Sequence, residues 1–451
     1  MQTRVLALAS VFCAAQAPLR ADAPAAAADV HQVVREVSAA RLDDTIHALA
    51  GFGTRHTLSD TTSDTRGIGA ARRWLRDEFH SIADAAGRAD IRVELQTFIQ
   101  PPNYRIPEEV ELANVVMTIP GAMPEARGRV YVVIGHYDSR NSDAMDAEGD
   151  APGANDDGSG TAAVLELARV FAPRPWDATL VFIMSAGEEQ GLLGARRFAQ
   201  VALEEGMDIH AVLSNDIVGD PSGPDGRSAP GVVRLFSEGI PAFPAEGEMN
   251  RIRQLAMESD SPSRQLARFV AEVAQRYQTE VQPRLIFRPD RFLRGGDHSA
   301  FNEQGFAAVR FTEVYEAYDR QHQDVRMVDG RPYGDTPAFV DAEYLAGVAR
   351  LNAAALAELA SAPRAPECNL VFSGLETTTT LEWAAAPEPD IAGYEVVWRD
   401  TTDWQWTHVV DVGNTTSHTL DLSKDNWFFG VRAYDRDGHR SPVSFPGVDR
   451  R

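Results

Sequence analysis

The chain has 451 residues, 44% hydrophobic and 24% charged, the make-up of a folded globular protein with more than one ordinary core. A formal charge of −23 makes nucleic acid and anionic membranes poor partner candidates, since both carry the same sign. There are two cysteines, Cys13 and Cys368, so a disulfide framework and thiolate ligation of zinc are both excluded once the first residues are removed.

That removal is expected. Arg4 is followed by an apolar run over 5–17, too short to span a bilayer, with small-residue cleavage sites at Ala15-Gln16-Ala17 and Ala21-Asp22-Ala23. Residues 1–23 therefore read as a signal peptide of a secreted or periplasmic protein. No later stretch is long and apolar enough to cross a membrane.

Helical patterns over 30–50 and 67–86 lead into strands at 91–99 and 111–119. Apolar runs then end abruptly in polar clusters. Residues 130–134 precede Gly135-His136-Tyr137-Asp138-Ser139, residues 179–184 precede Ser185-Ala186-Gly187-Glu188-Glu189, and residues 211–213 precede Asn215-Asp216. With a small-residue helix at 160–171 between the first two, this is an α/β pattern: a mostly parallel sheet between helices, with ligands expected at the carboxyl ends of its strands. The Gly- and Pro-rich segment 219–263, with one strand at 232–236, reads as an insertion beside the site. Helices at 264–277 and 341–360 complete a first domain of residues 30–360.

Residues 361–366 contain two prolines and read as a linker between independent folding units. After it the period changes to two, with strands at 379–383, 393–399, 408–412, 418–422 and 427–434. A small antiparallel β-sandwich over 367–451 is expected.

Five residues offer donors for two metals: His136, Asp156, Glu189, Asp216 and His298. Nitrogen and carboxylate donors without thiolate suit catalytic zinc. Asp156 lies in the tight loop Gly153-Ala154-Asn155-Asp156-Asp157-Gly158-Ser159-Gly160, where one carboxylate can bridge two ions that hold a water between them. Of the adjacent glutamates, Glu189 ligates, while Glu188 stays free as general base and carries the proton to the leaving amine. Asp138 is placed to accept the other ring proton of His136. Singly, each piece has a plainer reading: a solvated acidic pair, a core histidine, a turn that caps a helix. Their joint order, each after an apolar strand, points to a site.

The series GHYDS, GANDDGSG, SAGEEQGLLG, NDIVGD and GGDHSAF resembles the secreted co-catalytic di-zinc aminopeptidase family, which is related to glutamate carboxypeptidases and glutaminyl cyclases. The likeness runs over about residues 42–359 and includes Gly53-Thr54-Arg55-His56. It implies two Zn²⁺ per chain, one on His136 and Asp216, the other on Glu189 and His298, with Asp156 bridging. It also implies Glu188 as base, Asp138 as supporting carboxylate, a mixed eight-stranded sheet, and a cis bond between Asp156 and Asp157. The substrate it implies is a peptide with a free N-terminus. Where relatives carry a Tyr-His-Thr run, this chain has Tyr318-Asp319-Arg320-Gln321-His322-Gln323-Asp324, which leaves His322 as a pocket-lining candidate. Arg310 and Glu313 read either as substrate contacts or as a structural ion pair.

Residues 365–451 resemble a fibronectin type III module through Trp383, Tyr394 and Val431-Arg432-Ala433-Tyr434-Asp435. Trp398, Trp404, Trp406 and Trp427 read as a surface for polysaccharide or cell-wall contact, or as core. A stabilising or tethering role follows. Two other functions compete: a carboxypeptidase or glutaminyl cyclase on the same site, and a metal-free receptor-like module, which the presence of all five donors and Glu188 opposes.

Overall fold

The computed structural model describes residues 24–450; the leader expected at 1–23 lies outside the described residues. Two helices, α1 (Pro24–Glu36) and α2 (Ala39–Gly51), stand where the sequence suggests one, because the Ser38 hydroxyl accepts the Arg41 N–H and starts a new helix. Helix α3 (Ile68–Ala86) and strands β1 (Arg92–Gln100), β2 (Val110–Ile119) and β3 (Arg129–His136) follow. Then come α4 (Gly158–Phe171), β4 (Thr179–Ser185), α5 (Leu193–Glu204), β5 (Asp208–Asn215), β6 (Val232–Ser237) and α6 (Glu248–Leu255). The domain ends with α7 (Pro262–Arg276), β7 (Gln282–Ile286), α8 (Asp297–Asn302), β8 (Ala308–Glu313), a hairpin of β9 (Arg326–Val328) and β10 (Arg331–Tyr333), and α9 (Ala342–Ser361).

Strands β1 to β8 form one mixed sheet in the order β1-β2-β4-β3-β5-β8-β6-β7. The four central strands, β4-β3-β5-β8, are mutually parallel. Every residue of β3 is buried, as expected of a parallel strand covered on both faces. Its side chains alternate between two cores: Tyr131 and Val133 pack with residues of α4 and α9, while Val132 and Ile134 pack with Phe198 of α5 and Phe301 of α8. Strand β6 sits between β8 and β7. Within the segment 219–263, the expected strand at 232–236 is thus a member of the main sheet.

The C-terminal strands are β11 (Cys368–Phe372), β12 (Thr379–Trp383), β13 (Ile391–Asp400), β14 (His408–Gly413), β15 (Ser417–Leu420), β16 (Trp427–Asp435) and β17 (Gly447–Arg450). They form two small sheets, β15-β12-β11-β17 and β14-β13-β16, antiparallel except for the β11–β17 pair. Leu381, Trp383, Tyr394, Val396, Phe429 and Val431 are the core between them. Trp398 and Trp427 pack against this core, and the Trp406 indole N–H donates to Gln265 of α7. Of the four tryptophans read as contact surface or as core, Trp404 alone is exposed, and by about half.

These sheets are fastened to the first part of the chain by buried charge. Asp260 takes two bonds from Arg399 of β13, at 2.7 and 2.9 Å, and pairs with Arg268 of α7 at 3.1 Å. Arg129 donates to Glu388 and to the Ala362 carbonyl, both at 2.7 Å. Glu358 of α9 receives His439, at 2.9 Å, together with Tyr277, Arg276 and the Arg440 N–H.

Candidate active site

The parallel register sets the site. His136 is level with Ser185, and Ile134 with Ser214, so β3, β4 and β5 end together and present the segments that follow at one edge of the sheet. Helix α4 approaches closely because two glycines meet it there. A Cβ on Gly135 would lie 2.7 Å from the Gly160 carbonyl carbon, and one on Gly160 would lie 2.1 Å from the Asn215 oxygen. Arg55, fully buried, ties the loop before α4 to the end of β3, donating to the carbonyls of Tyr137 (2.7 Å), Pro152 (2.5 Å) and Gly153 (2.9 Å). The Gly53–His56 stretch is therefore a brace for the site.

The two aspartates of that loop divide their work. The peptide bond between them is cis, as the resemblance implies. Asp157 caps α4 through the Gly160 N–H (2.8 Å) and also accepts from the His136 N–H (3.0 Å). Asp156 turns the other way, with Oδ1 3.3 Å from His136 Nε2 and Oδ2 2.9 Å from His322 Nε2. Its backbone N–H is held by Asp335 at 2.7 Å, and Gln321 donates to Oδ2 at 2.7 Å.

Two donor sets result. In the first, His136, Asp157 and Asp216 offer atoms within 4.8 Å of one another, and in the second Asp156, Glu189 and His322 do. Asp157 is occupied by backbone N–H groups, and Asp156 Oδ1 stands beside the first set, 3.3 Å from His136 Nε2. His136 Nε2 and Asp216 Oδ1 are 3.9 Å apart, buried, and without a hydrogen-bond partner, an arrangement that a cation between them satisfies. In the second set His322 Nε2 lies 2.8 Å from Glu189 Oε1. Burial opposes a charge on this ring, but Glu189 and Asp156 outweigh it and raise its pKa to about 10, while Arg140 Nη2, which can only donate, lies 2.8 Å from Nδ1. His322 (φ 55°) and Ile217 after Asp216 (φ 59°) both adopt the left-handed conformation that non-glycine residues rarely take.

His298, expected as a ligand, is in neither set. It is buried at the start of α8, and its Nε2 is 2.8 Å from the Pro289 carbonyl, which can only accept. Its histidine-acid context resembles a ligand motif, but the chain brings His322 to Glu189 instead. The signal that could have found His322 was the position of the Tyr318–Asp324 run before the last long helix.

Glu188 lines the same cavity as Asp156, Glu189 and Asp216, and its carboxylate bonds to none of the described residues. Burial pushes this carboxyl up, and the Asp216 and Glu189 charges add to the shift. Asp138 does more than expected of it. Its two oxygens accept the backbone N–H groups of Glu188 (3.1 Å) and Glu189 (3.2 Å), and Thr57 donates at 2.9 Å. With the carboxylate so occupied, His136 Nδ1 is nearer to the Asp138 main-chain oxygen (3.1 Å) than to Oδ1 (3.5 Å). Arg310 proves to be an ion-pair residue, fully buried and paired with Asp216 (3.0 Å) and Asp290 (3.1 Å). Glu313 accepts instead from Asn155 (2.9 Å) and the Asp220 N–H (2.8 Å).

Two adjacent donor sets at the carboxyl edge of a mixed α/β sheet, beside a free glutamate, point to a metal-dependent hydrolase. Residues 114–336 match the model of peptidase family M28. A probable zinc metalloprotease of Leptosphaeria maculans is 44% identical over 425 residues, which cover 94% of this chain and 98% of that one. The chain belongs to peptidase family M28 and is a zinc metallopeptidase. Its fold is also that of the LapA aminopeptidase of Legionella pneumophila (TM-score 0.52, 21% identity, 74% of this chain and 75% of that one). A similar likeness joins it to an aminopeptidase from Aneurinibacillus sp. strain AM-1 (TM-score 0.51, 16% identity, 74% and 96%). Among the described residues, no helix is long and apolar enough to cross a membrane.

Proposed function

We propose that this metallopeptidase is a secreted exopeptidase that removes the N-terminal residue of peptides at a centre of two zinc ions. The observation that carries the two-ion reading is the division of Asp156, one oxygen toward His136 and the other toward His322. His136, Asp156 and Asp216 would hold one ion, and Asp156, Glu189 and His322 the other. Zinc at such a centre supplies an acidified water and a Lewis acid for the scissile carbonyl. Glu188, free beside the donors, accepts the proton of the attacking water and delivers it to the leaving amine. Asp138 fixes the backbone of both glutamates, so base and ligand keep one spacing. The cavity holds about 580 Å³, the size of a peptide end, with Tyr104, Leu293 and Tyr318 exposed in its lining. The aminopeptidase names of the two solved relatives support the N-terminal direction. The signal-peptide pattern supports secretion.

The test is mass spectrometry of products from one peptide in three forms: free at both ends, N-acetylated, and C-amidated. Stepwise N-terminal loss that acetylation abolishes and amidation spares is expected. C-terminal trimming of the acetylated peptide would make the enzyme a carboxypeptidase, and pyroglutamate formation from a glutaminyl peptide would make it a cyclase.

A further inference from the structure

The active-site cavity carries a charge pattern that hydrolysis alone does not use. The protein has a formal charge of −23, yet Arg105, Arg140, Arg291 and Arg294 all line this cavity. Its carboxylates are Asp156, Glu188, Glu189 and Asp216, all four already assigned to metal ligation or proton transfer. None is left over to hold a cationic side chain. The arginines come as two pairs. Arg105 donates to the Glu189 main-chain oxygen, and Arg140 lies 3.2 Å from Glu189 Oε2. Arg291 and Arg294 share Glu316 Oε2 at 2.9 and 3.0 Å.

They are not equally committed. Arg291 uses all three nitrogens, bonded to Asp290, Glu316 and the Gly295 oxygen. Arg294 spends only Nη1, with its side chain 34% exposed, and Arg105 likewise spends only one Nη among the described residues. Each retains N–H groups in the planar fork that matches a carboxylate. Two divalent ions would balance the four cavity carboxylates, and the arginines would then leave the cavity positive.

We propose that Arg105 and Arg294 bind a carboxylate of the peptide substrate, so that the enzyme prefers peptides with an acidic group next to the scissile bond. This rests on the exopeptidase reading above. The carboxylate has two sources, an acidic side chain or the C-terminus of a short peptide, and three substrate pairs separate them. Glu-Ala-amide against Gln-Ala-amide reads the residue released. Leu-Glu-amide against Leu-Gln-amide reads the residue that follows. Leu-Ala as free acid against its amide reads the terminus. With the zinc-loaded full chain, at least one pair should favour the carboxylate about 10- to 100-fold in kcat/KM, the usual range for a charge-assisted hydrogen bond. Arg294→Gln and Arg105→Gln should each reduce that ratio about tenfold. The favoured pair, titrated by calorimetry into the Glu188→Gln protein, should show the same preference without turnover. Neutral amides hydrolysed with no preference in any pair would overturn the proposal, as would a preference that survives both substitutions. Failure to hydrolyse any peptide, neutral ones included, would remove the exopeptidase reading and the proposal with it.

Discussion

His322 Nε2 stands 2.8 Å from Glu189 Oε1, whereas the His298 ring is engaged by the Pro289 carbonyl. The two histidines therefore separate in a zinc assay. His322→Asn should lower bound zinc from two per chain toward one and reduce kcat/KM about 100-fold or more. His298→Gln should keep two zinc ions per chain in whatever fraction folds. Elemental analysis of the purified variants checks both, and the reverse pattern would restore His298 as the ligand.

Glu188 is distinguished from Glu189 by having no partner for its carboxylate among the described residues. Glu188→Ala should retain the metals and lose turnover on the order of 10²- to 10⁴-fold in kcat. Steady-state kinetics on metal-replete protein decides it. Near-normal turnover would remove Glu188 from the mechanism.

The joint between the two parts of the chain predicts a stability effect. Asp260 is buried between Arg268 and Arg399, so Asp260→Ala leaves two buried guanidinium groups without their shared carboxylate. A loss of about 3–5 kcal/mol is expected. Cutting after Ser361 should likewise lower the melting temperature of the remaining protein, because α7 and α9 lose Arg399, Arg432 and His439. Denaturant melts of both proteins test this; unchanged midpoints would mean that the joint contributes little.

The same joint predicts a pH window. Burial opposes ionisation of Glu358, but His439, Arg276 and the Arg440 N–H outweigh it and hold its pKa at about 2, below the ordinary 4.5. Its contribution is present above about pH 4.5 and lost as pH falls toward 2, on the order of 3 kcal/mol. Burial also opposes protonation of His439, yet the Glu358 bond and charge raise its pKa above 6.5. That contribution is full below about pH 6.5 and lost as pH rises through the raised value. The melting temperature should therefore be best between these limits, and Glu358→Gln should flatten both flanks.

Most of the sheet was legible because buried strands leave continuous apolar runs, as in β3 and β4. Strand β8 was not, since Arg310 and Thr312 give Ala308–Glu313 the alternation of a surface strand although all six residues are buried. The ion pairs of Arg310 with Asp216 and Asp290, and its bond to the Gly295 carbonyl, make that burial tolerable, and they join positions far apart in the chain. At the site, His136, Glu189 and Asp216 were readable because each sits at or just after the end of a strand, and Asp156 because its glycine-rich loop enters α4. His322 was read as a pocket-lining candidate and not as a ligand, because it lies in a loop with no periodic pattern, at a left-handed φ.

The most direct test of the two-ion centre is a crystal of the zinc-loaded protein measured across the zinc absorption edge. The anomalous map should show two peaks about 3.5–4 Å apart, one bounded by His136, Asp156 and Asp216, the other by Asp156, Glu189 and His322. A single peak, or a second peak on His298 with His322 turned away, would contradict it.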